Sequence, residues 1–141
     1  FPDGELAGEI HVEPVEELKA TPATRIIVRD PDASPDVFVE LANQLGMTGV
    51  TYFVGWSAWL DIAPRGVTKA SGLQEACDML GIPASAVLAI GDGNNDIEML
   101  RWAGRGVAVG DALEQVRAAA DAVTADFDDD GTAVELNRWF G

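Results

Sequence analysis

Hydrophobic and polar positions follow two rhythms along this chain, and the rhythm changes near Pro64-Arg65-Gly66. Before that point, short β-rich runs flank one stretch of helical period. Arg25-Ile26-Ile27-Val28-Arg29 reads as a strand. Asp30-Pro31-Asp32-Ala33-Ser34-Pro35 breaks it and caps a helix with Val37, Phe38, Leu41, Ala42 and Leu45 at helical spacing, which Gly46 stops. Residues 50–54 and 58–62 are rich in β-branched and aromatic side chains and are separated by Gly55-Trp56-Ser57, which predicts antiparallel strands in a small α+β unit. Residues 1–24 carry acids and prolines with little periodicity; only Gly8-Glu9-Ile10-His11-Val12 alternates as a strand would.

After Gly66 the pattern becomes strand-helix alternation, the signature of a parallel sheet covered by helices. Ala70, Leu73, Ala76, Cys77 and Leu80 line one helical face that Gly81 and Pro83 end. Val87-Leu88-Ala89-Ile90 is a continuous apolar run suited to a strand buried on both faces. A helix with Ile97, Leu100 and Ala103 inward then starts in the Asn94-Asn95-Asp96 turn, and residues 106–110 form a second parallel strand. A further helix from Asp111 buries Leu113, Val116 and Ala120; Ala122-Val123-Thr124 is a last short strand; and a terminal helix carries Val134, Leu136, Trp139 and Phe140. Two units are therefore expected, residues 1–63 and residues 64–141, with the second an α/β layer.

Composition narrows the partners. The 141 residues, 48% hydrophobic, suffice to bury a core within the size of one ordinary domain. Nine Lys and Arg against 24 Asp and Glu give a net charge of -15, which opposes nucleic acid and anionic membrane surfaces as partners. The lone Cys77 cannot form an internal disulfide, and neither a secretory leader pattern nor a membrane-length apolar run is present, so a cytoplasmic protein is expected. The chain begins at Phe1 without an initiator Met, which suggests a fragment or a processed product.

Two places carry candidate chemistry. Lys69 falls in the first turn of its helix, where a cation meets the positive end of the macrodipole and loses about 0.3–1 kcal/mol. A lysine there, beside free backbone N–H groups, makes a phosphate cradle, although a lysine that snorkels into solvent fits the same position. Gly91-Asp92-Gly93-Asn94-Asn95-Asp96 directly follows an apolar run, so Asp92 projects from the carboxyl end of a parallel strand, where open α/β sheets place ligands. Its carboxylate is the hard oxygen donor that Mg2+ prefers, while Asn95 and Asp96 can cap the next helix; a plain cap and turn remains the alternative.

These segments, together with Gly106-Val107-Ala108-Val109-Gly110-Asp111-Ala112 and Asp130-Gly131, resemble the C-terminal half of the haloacid-dehalogenase-like hydrolases, in the Cof-type sugar-phosphatase branch. The resemblance runs from about Ile62 to the C-terminus, and residues 25–61 are more loosely similar to the end of that branch's α/β cap domain. It implies a Rossmann-like parallel-sheet core over residues 64–141, preceded over residues 1–63 by a remnant of a small α+β cap domain. It also implies a Mg2+-dependent phosphatase of a small phosphorylated metabolite, acting through an aspartyl-phosphate. Lys69 would be the phosphate-binding lysine, Asp92 the metal-binding acid, Asn95 the substrate- or phosphate-contacting amide and Asp96 a supporting acid.

One part of the family pattern is missing. The chain has neither the Asp-x-Asp-Gly-Thr that supplies the nucleophile nor the Ser/Thr motif that follows it, and no apolar strand is expected to end in an Asp-x-Asp able to accept a phosphoryl group. Phe1-Pro2-Asp3-Gly4-Glu5-Leu6 echoes the motif, but a phenyl ring cannot attack phosphorus. The isolated chain is therefore expected to be inactive, and its sheet to self-associate or to pair with a missing N-terminal segment. The competing expectation is a non-catalytic binding or interaction module on the same scaffold. Asp126-Phe127-Asp128-Asp129-Asp130-Gly131 starts like a calcium loop but loses register, with Asn137 where a bidentate Glu is wanted. A solvated loop near the site rim is expected instead. His11 has no partner at catalytic spacing, and of the tryptophans only Trp56 is expected near substrate.

Overall fold

The computed structural model describes residues 11–30, 32–47, 50–55 and 59–141. Two three-stranded sheets of opposite character organise them. The first holds β1 (Ile26–Arg29), β2 (Val50–Gly55) and β3 (Trp59–Pro64), antiparallel throughout in the order β1-β3-β2. Its register sets Val28 and Val54 opposite Leu60, and Ile27 and Phe53 opposite Asp61. Directly opposed residues share a face, so Leu60 and Asp61 mark opposite sides of this sheet. The helix α2 (Pro35–Leu45) covers the Leu60 side: Phe38 and Leu60 are buried, with Leu41, Val54 and Ile62 packed around them. Gly46, at φ 53°, ends α2 in the left-handed conformation that glycine adopts without strain.

The second sheet is parallel, with β4 (Leu88–Gly91), β5 (Arg105–Ala108) and β6 (Ala122–Val123) in that order. Around it lie α3 (Lys69–Leu80), α4 (Ile97–Trp102), α5 (Glu114–Arg117) and α6 (Gly131–Phe140). Ala89, Leu100, Ala103, Ala108, Ala112 and Val116 form the core. The small side chains reflect close backbone approach: a Cβ on Gly106 would lie 2.1 Å from the Leu100 carbonyl oxygen, so α4 can pack on β5 at this distance only with glycine there. The chain is thus an α/β fold with a parallel-sheet core preceded by a small antiparallel α+β unit, as the periodicity predicts.

The structure differs from the periodicity in four places. β4 is an edge strand among the described residues, paired only with β5, and Leu88 and Ile90 are half-exposed rather than buried on both faces. On α3 only Cys77 is buried, while Leu80 is 72% exposed. α5 is a single turn that buries Val116 but leaves Leu113 at the surface; its upstream Asp111 spends its carboxylate on the Phe127 N–H instead of capping a longer helix. On α6 the expected stripe of Val134, Leu136, Trp139 and Phe140 is exposed, and Glu135 is the buried side chain. Glu135 accepts hydrogen bonds from Arg105 Nε at 2.8 Å, Arg138 Nη1 at 3.0 Å and Trp139 Nε1 at 3.0 Å, which satisfy its charge in the interior. Residues 15–18 form an additional short helix, α1 (Val15–Leu18) in chain order. Of the strand expected around residues 8–12, Gly8 to Ile10 lie outside the described residues and His11 and Val12 are not in a strand.

Candidate active site

Thr68 and Ser71 start α3 by capping each other: Thr68 Oγ1 accepts from the Ser71 N–H at 3.2 Å, and Ser71 Oγ accepts from the Thr68 N–H at 2.9 Å. This reciprocal cap places Lys69 at the first helical position. There its ammonium would be disfavoured by the macrodipole, but Lys69 Nζ donates to Asp96 Oδ1 at 2.5 Å. The Asp96 side chain is 3% exposed and that of Lys69 49%, so one of the ammonium's three donors is spent on the carboxylate and the side chain stays accessible to solvent.

Asp96 organises the loop as well. Its second oxygen accepts from the backbone N–H groups of Asp92 at 3.1 Å and Gly93 at 3.0 Å, inside the turn that runs through Asn94–Asp96 into α4. A single buried carboxylate therefore ties Lys69 to the Asp92 backbone, which puts the two on the same side of the sheet. Gly91 is required by that approach: a Cβ there would lie 2.5 Å from Asp96 Cβ. Gly93 likewise leaves room for Asn95 Oδ1, which would be 2.7 Å from an added Cβ.

Asp92 stands exposed at the carboxyl end of β4, and its carboxylate has no hydrogen-bond or ion-pair partner among the described residues. It opens on a cavity of about 330 Å³ shared with Asp111, Phe127 and Thr132. Asn95 lies on another side of the loop, where Gly93, Asn94 and Asn95 form the floor of a cavity of about 340 Å³ whose walls come from the antiparallel sheet. Of the four residues singled out from the sequence, Lys69, Asp92 and Asp96 thus meet through one hydrogen-bonded loop, and Asn95 flanks it. Periodicity did not show that Asp96 is the hub, because its partners lie at sequence separations from three to 27. The Thr68-x-x-Ser71 spacing was a readable cap signal; Asp111 and Arg25 carried none.

One expectation needs correction. Asp30-Pro31-Asp32 does follow an apolar strand, so an Asp-x-Asp is present after β1. It lacks the Gly-Thr continuation, β1 is an exposed edge strand of the antiparallel sheet, and Asp30 Oδ1 accepts from the Asp32 N–H at 3.1 Å to shape the turn into α2. It belongs to a different sheet from Asp92. The Phe1-to-Leu6 echo and Trp56 lie outside the described residues. Residues 127–130 of the acidic segment are exposed, beginning with the short turn Phe127–Asp129.

Residues 8–136 match the model of the haloacid dehalogenase-like hydrolase family. The 5-amino-6-(5-phospho-D-ribitylamino)uracil phosphatase YitU of Bacillus subtilis is 41% identical over 88 residues, 60% of this chain and 33% of that protein. A phosphoglycolate phosphatase of Natronomonas pharaonis is 39% identical over 113 residues, 77% of this chain and 46% of that protein. The solved subclass IIB sugar phosphatase BT4131 superposes with a TM-score of 0.77 at 31% identity, covering 94% of this chain and 49% of that one. The chain spans between a third and a half of the length of these relatives.

Proposed function

The chain belongs to the haloacid dehalogenase-like hydrolases, a family of phosphatases, and from that premise we propose that it carries the phosphate-gripping part of a Mg2+-dependent phosphomonoester hydrolase. The observation that carries the proposal is the bridge from Lys69 through buried Asp96 to the Asp92 backbone. The Lys69 ammonium, anchored on one side by Asp96, keeps donors for the oxygens of a transferring phosphoryl group, whose developing charge it offsets. Asp96 acts by position: both of its oxygens are engaged, so it holds the lysine and the loop in place instead of binding a ligand. Asn95, which lines the 340 Å³ cavity beside the same loop, is the amide available to the ester.

Asp92 fits a hard divalent ion, since its unpartnered carboxylate stands at the strand terminus. The described residues hold no cluster of three metal-ligating side chains, so the remaining oxygen ligands come from elsewhere. Mg2+, once bound, supplies charge neutralisation on the phosphoryl oxygens and alignment of the attacking and leaving groups. The nucleophilic aspartate is likewise not provided by an Asp-x-Asp-Gly-Thr in this sequence, so the 141 residues alone bind phosphate but do not turn over esters. The ester is that of a small metabolite, a sugar phosphate foremost, consistent with the sugar phosphatase whose fold it shares. A metal- and phosphate-binding module without catalysis is the second reading, favoured by the same missing nucleophile.

Calorimetric titration of the chain with inorganic phosphate, with and without Mg2+, tests the proposal. Phosphate binding that Lys69→Ala abolishes, and Mg2+ enhancement that Asp92→Ala abolishes, are expected. Phosphate affinity unchanged in Lys69→Ala would refute the site. Hydrolysis of 4-nitrophenyl phosphate by the purified chain, lost in Asp92→Ala, would refute its inactivity.

A further inference from the structure

We infer that Gln115 is a positioning residue for the phosphate site: from α5 it holds the Asn94 end of the site loop, and with it the Asn95 amide, in the arrangement that receives the anion. The inference rests on the phosphate site proposed above. The loop between β4 and α4 has two halves with separate anchors. Asp96 accepts from the N–H groups of Asp92 and Gly93, which fixes the first half. The second half carries Asn94, whose Oδ1 accepts from Gln115 Nε2 at 3.1 Å, a contact made across 21 positions from a different element.

A hydrogen bond between two exposed amides is weak on flexible supports, and here one support is fixed. Val116, next to Gln115 on α5, is 0% exposed and packs in the parallel-sheet core with Leu100 and Ala108. Arg117 ties down the end of the same turn: its Nη1 donates to the Gly110 carbonyl oxygen at 3.0 Å and its Nη2 to Glu114 Oε2 at 2.9 Å. α5 cannot rotate without drawing Val116 from the core or Arg117 from Gly110, so Gln115 presents its amide from a set position. This single turn thereby braces the loop after β4 against the loop after β5, and those two loops supply Asp92, Val109 and Asp111 to one cavity. Asn94 and Asn95 are consecutive in one turn and line the neighbouring cavity together. Holding the first therefore restricts the second, and less freedom is left to lose when an anion binds. The bonds of Lys69 and of the Asp92 backbone run to Asp96 and not to Gln115, so Gln115 acts on the asparagine half of the loop alone.

The test is calorimetric titration of the 141-residue chain with inorganic phosphate, in Mg2+ and in EDTA. Gln115→Ala is expected to weaken phosphate binding about two- to fivefold, the worth of one solvated hydrogen bond. The loss should be the same factor in both media, so that the enhancement by Mg2+ is unchanged. Gln115→Asn, one methylene too short to reach, should lose as much. Gln115→Asn combined with Asn94→Gln restores the summed reach of the two side chains and should recover the parent affinity, which a mere loss of α5 packing would not do. Parent affinity in Gln115→Ala, a loss seen only in Mg2+, or no recovery in the paired exchange overturns this inference while leaving the phosphate site standing. Inorganic phosphate bound no better by the unsubstituted chain than by Lys69→Ala overturns the phosphate site, and this inference with it.

Discussion

Removing the Asp96 carboxylate is the most direct perturbation of the arrangement, because three donors converge on it in a site where its side chain is 3% exposed. The two backbone bonds to a charged acceptor are worth about 1.5 kcal/mol or more each. The Lys69 pair, with the ammonium 49% exposed, contributes no more than about 1 kcal/mol after screening by solvent. Part of the loss is recovered as water reaches the freed N–H groups, so Asp96→Ala should destabilise the chain by about 2–4 kcal/mol. Asp96→Asn keeps one oxygen for the Asp92 and Gly93 N–H groups and turns its amide toward Lys69, which swings into solvent; its cost should be about 1–2 kcal/mol. Urea unfolding followed by tryptophan fluorescence reads both values. A double-mutant cycle of Lys69→Ala with Asp96→Asn should give a coupling of about 0.5–1 kcal/mol. Costs below about 1 kcal/mol for Asp96→Ala, or equal costs for Ala and Asn, would refute the claim that this carboxylate organises the loop.

Gly91→Ala puts a Cβ 2.5 Å from Asp96 Cβ; it should cost about 1–3 kcal/mol by overpacking and weaken phosphate binding in calorimetry, and normal binding would count against the close-approach reading. Glu135 is held below its ordinary 4.5 by the hydrogen bond from Trp139 and then by that from Arg105, so its stabilising contribution is present above 4.5 and is lost as pH falls through the lower folded value. Urea midpoints measured between about pH 5 and pH 3 should therefore fall in the parent chain and fall less in Glu135→Gln; parallel curves would refute the link. The side of β4 left unpaired among the described residues, with half-exposed Leu88 and Ile90, should drive association that rises with salt as the -15 charge is screened. Sedimentation velocity should then show oligomers that Leu88→Lys dissolves, whereas a monomer at every concentration and salt level would contradict it.

Much of the fold was legible from periodicity because local rules dominate it. Phe38 and Ala42 recur at the spacing of a helix face and are buried; Gly46 and Gly81 end helices in left-handed conformations; and Ala89 lies in a strand whose apolar run announced it. The site was half legible. Asp92 at a strand terminus and Lys69 at a helix start are statements about position along an element, and position follows from spacing. The burial of Glu135 and the exposure of Leu80 and Phe140 went against their residue types, because burial depends on what covers a face, and three donors gathered from β5 and α6 made the interior tolerable for a carboxylate.

By itself, then, the order of residues determined where most of the strands and helices after Thr24 would form and which chemical groups would sit at their ends, since those outcomes depend on neighbours within a few positions. Only the tertiary structure decided that Lys69 spends a donor on Asp96 rather than on solvent, that Arg25 is clasped by Asp61, and that both lie on one loop's two flanks. Those pairings join residues 27 and 36 positions apart, and a contact across such a separation is selected by the packing of whole elements, which no local pattern of hydrophobic and polar residues encodes.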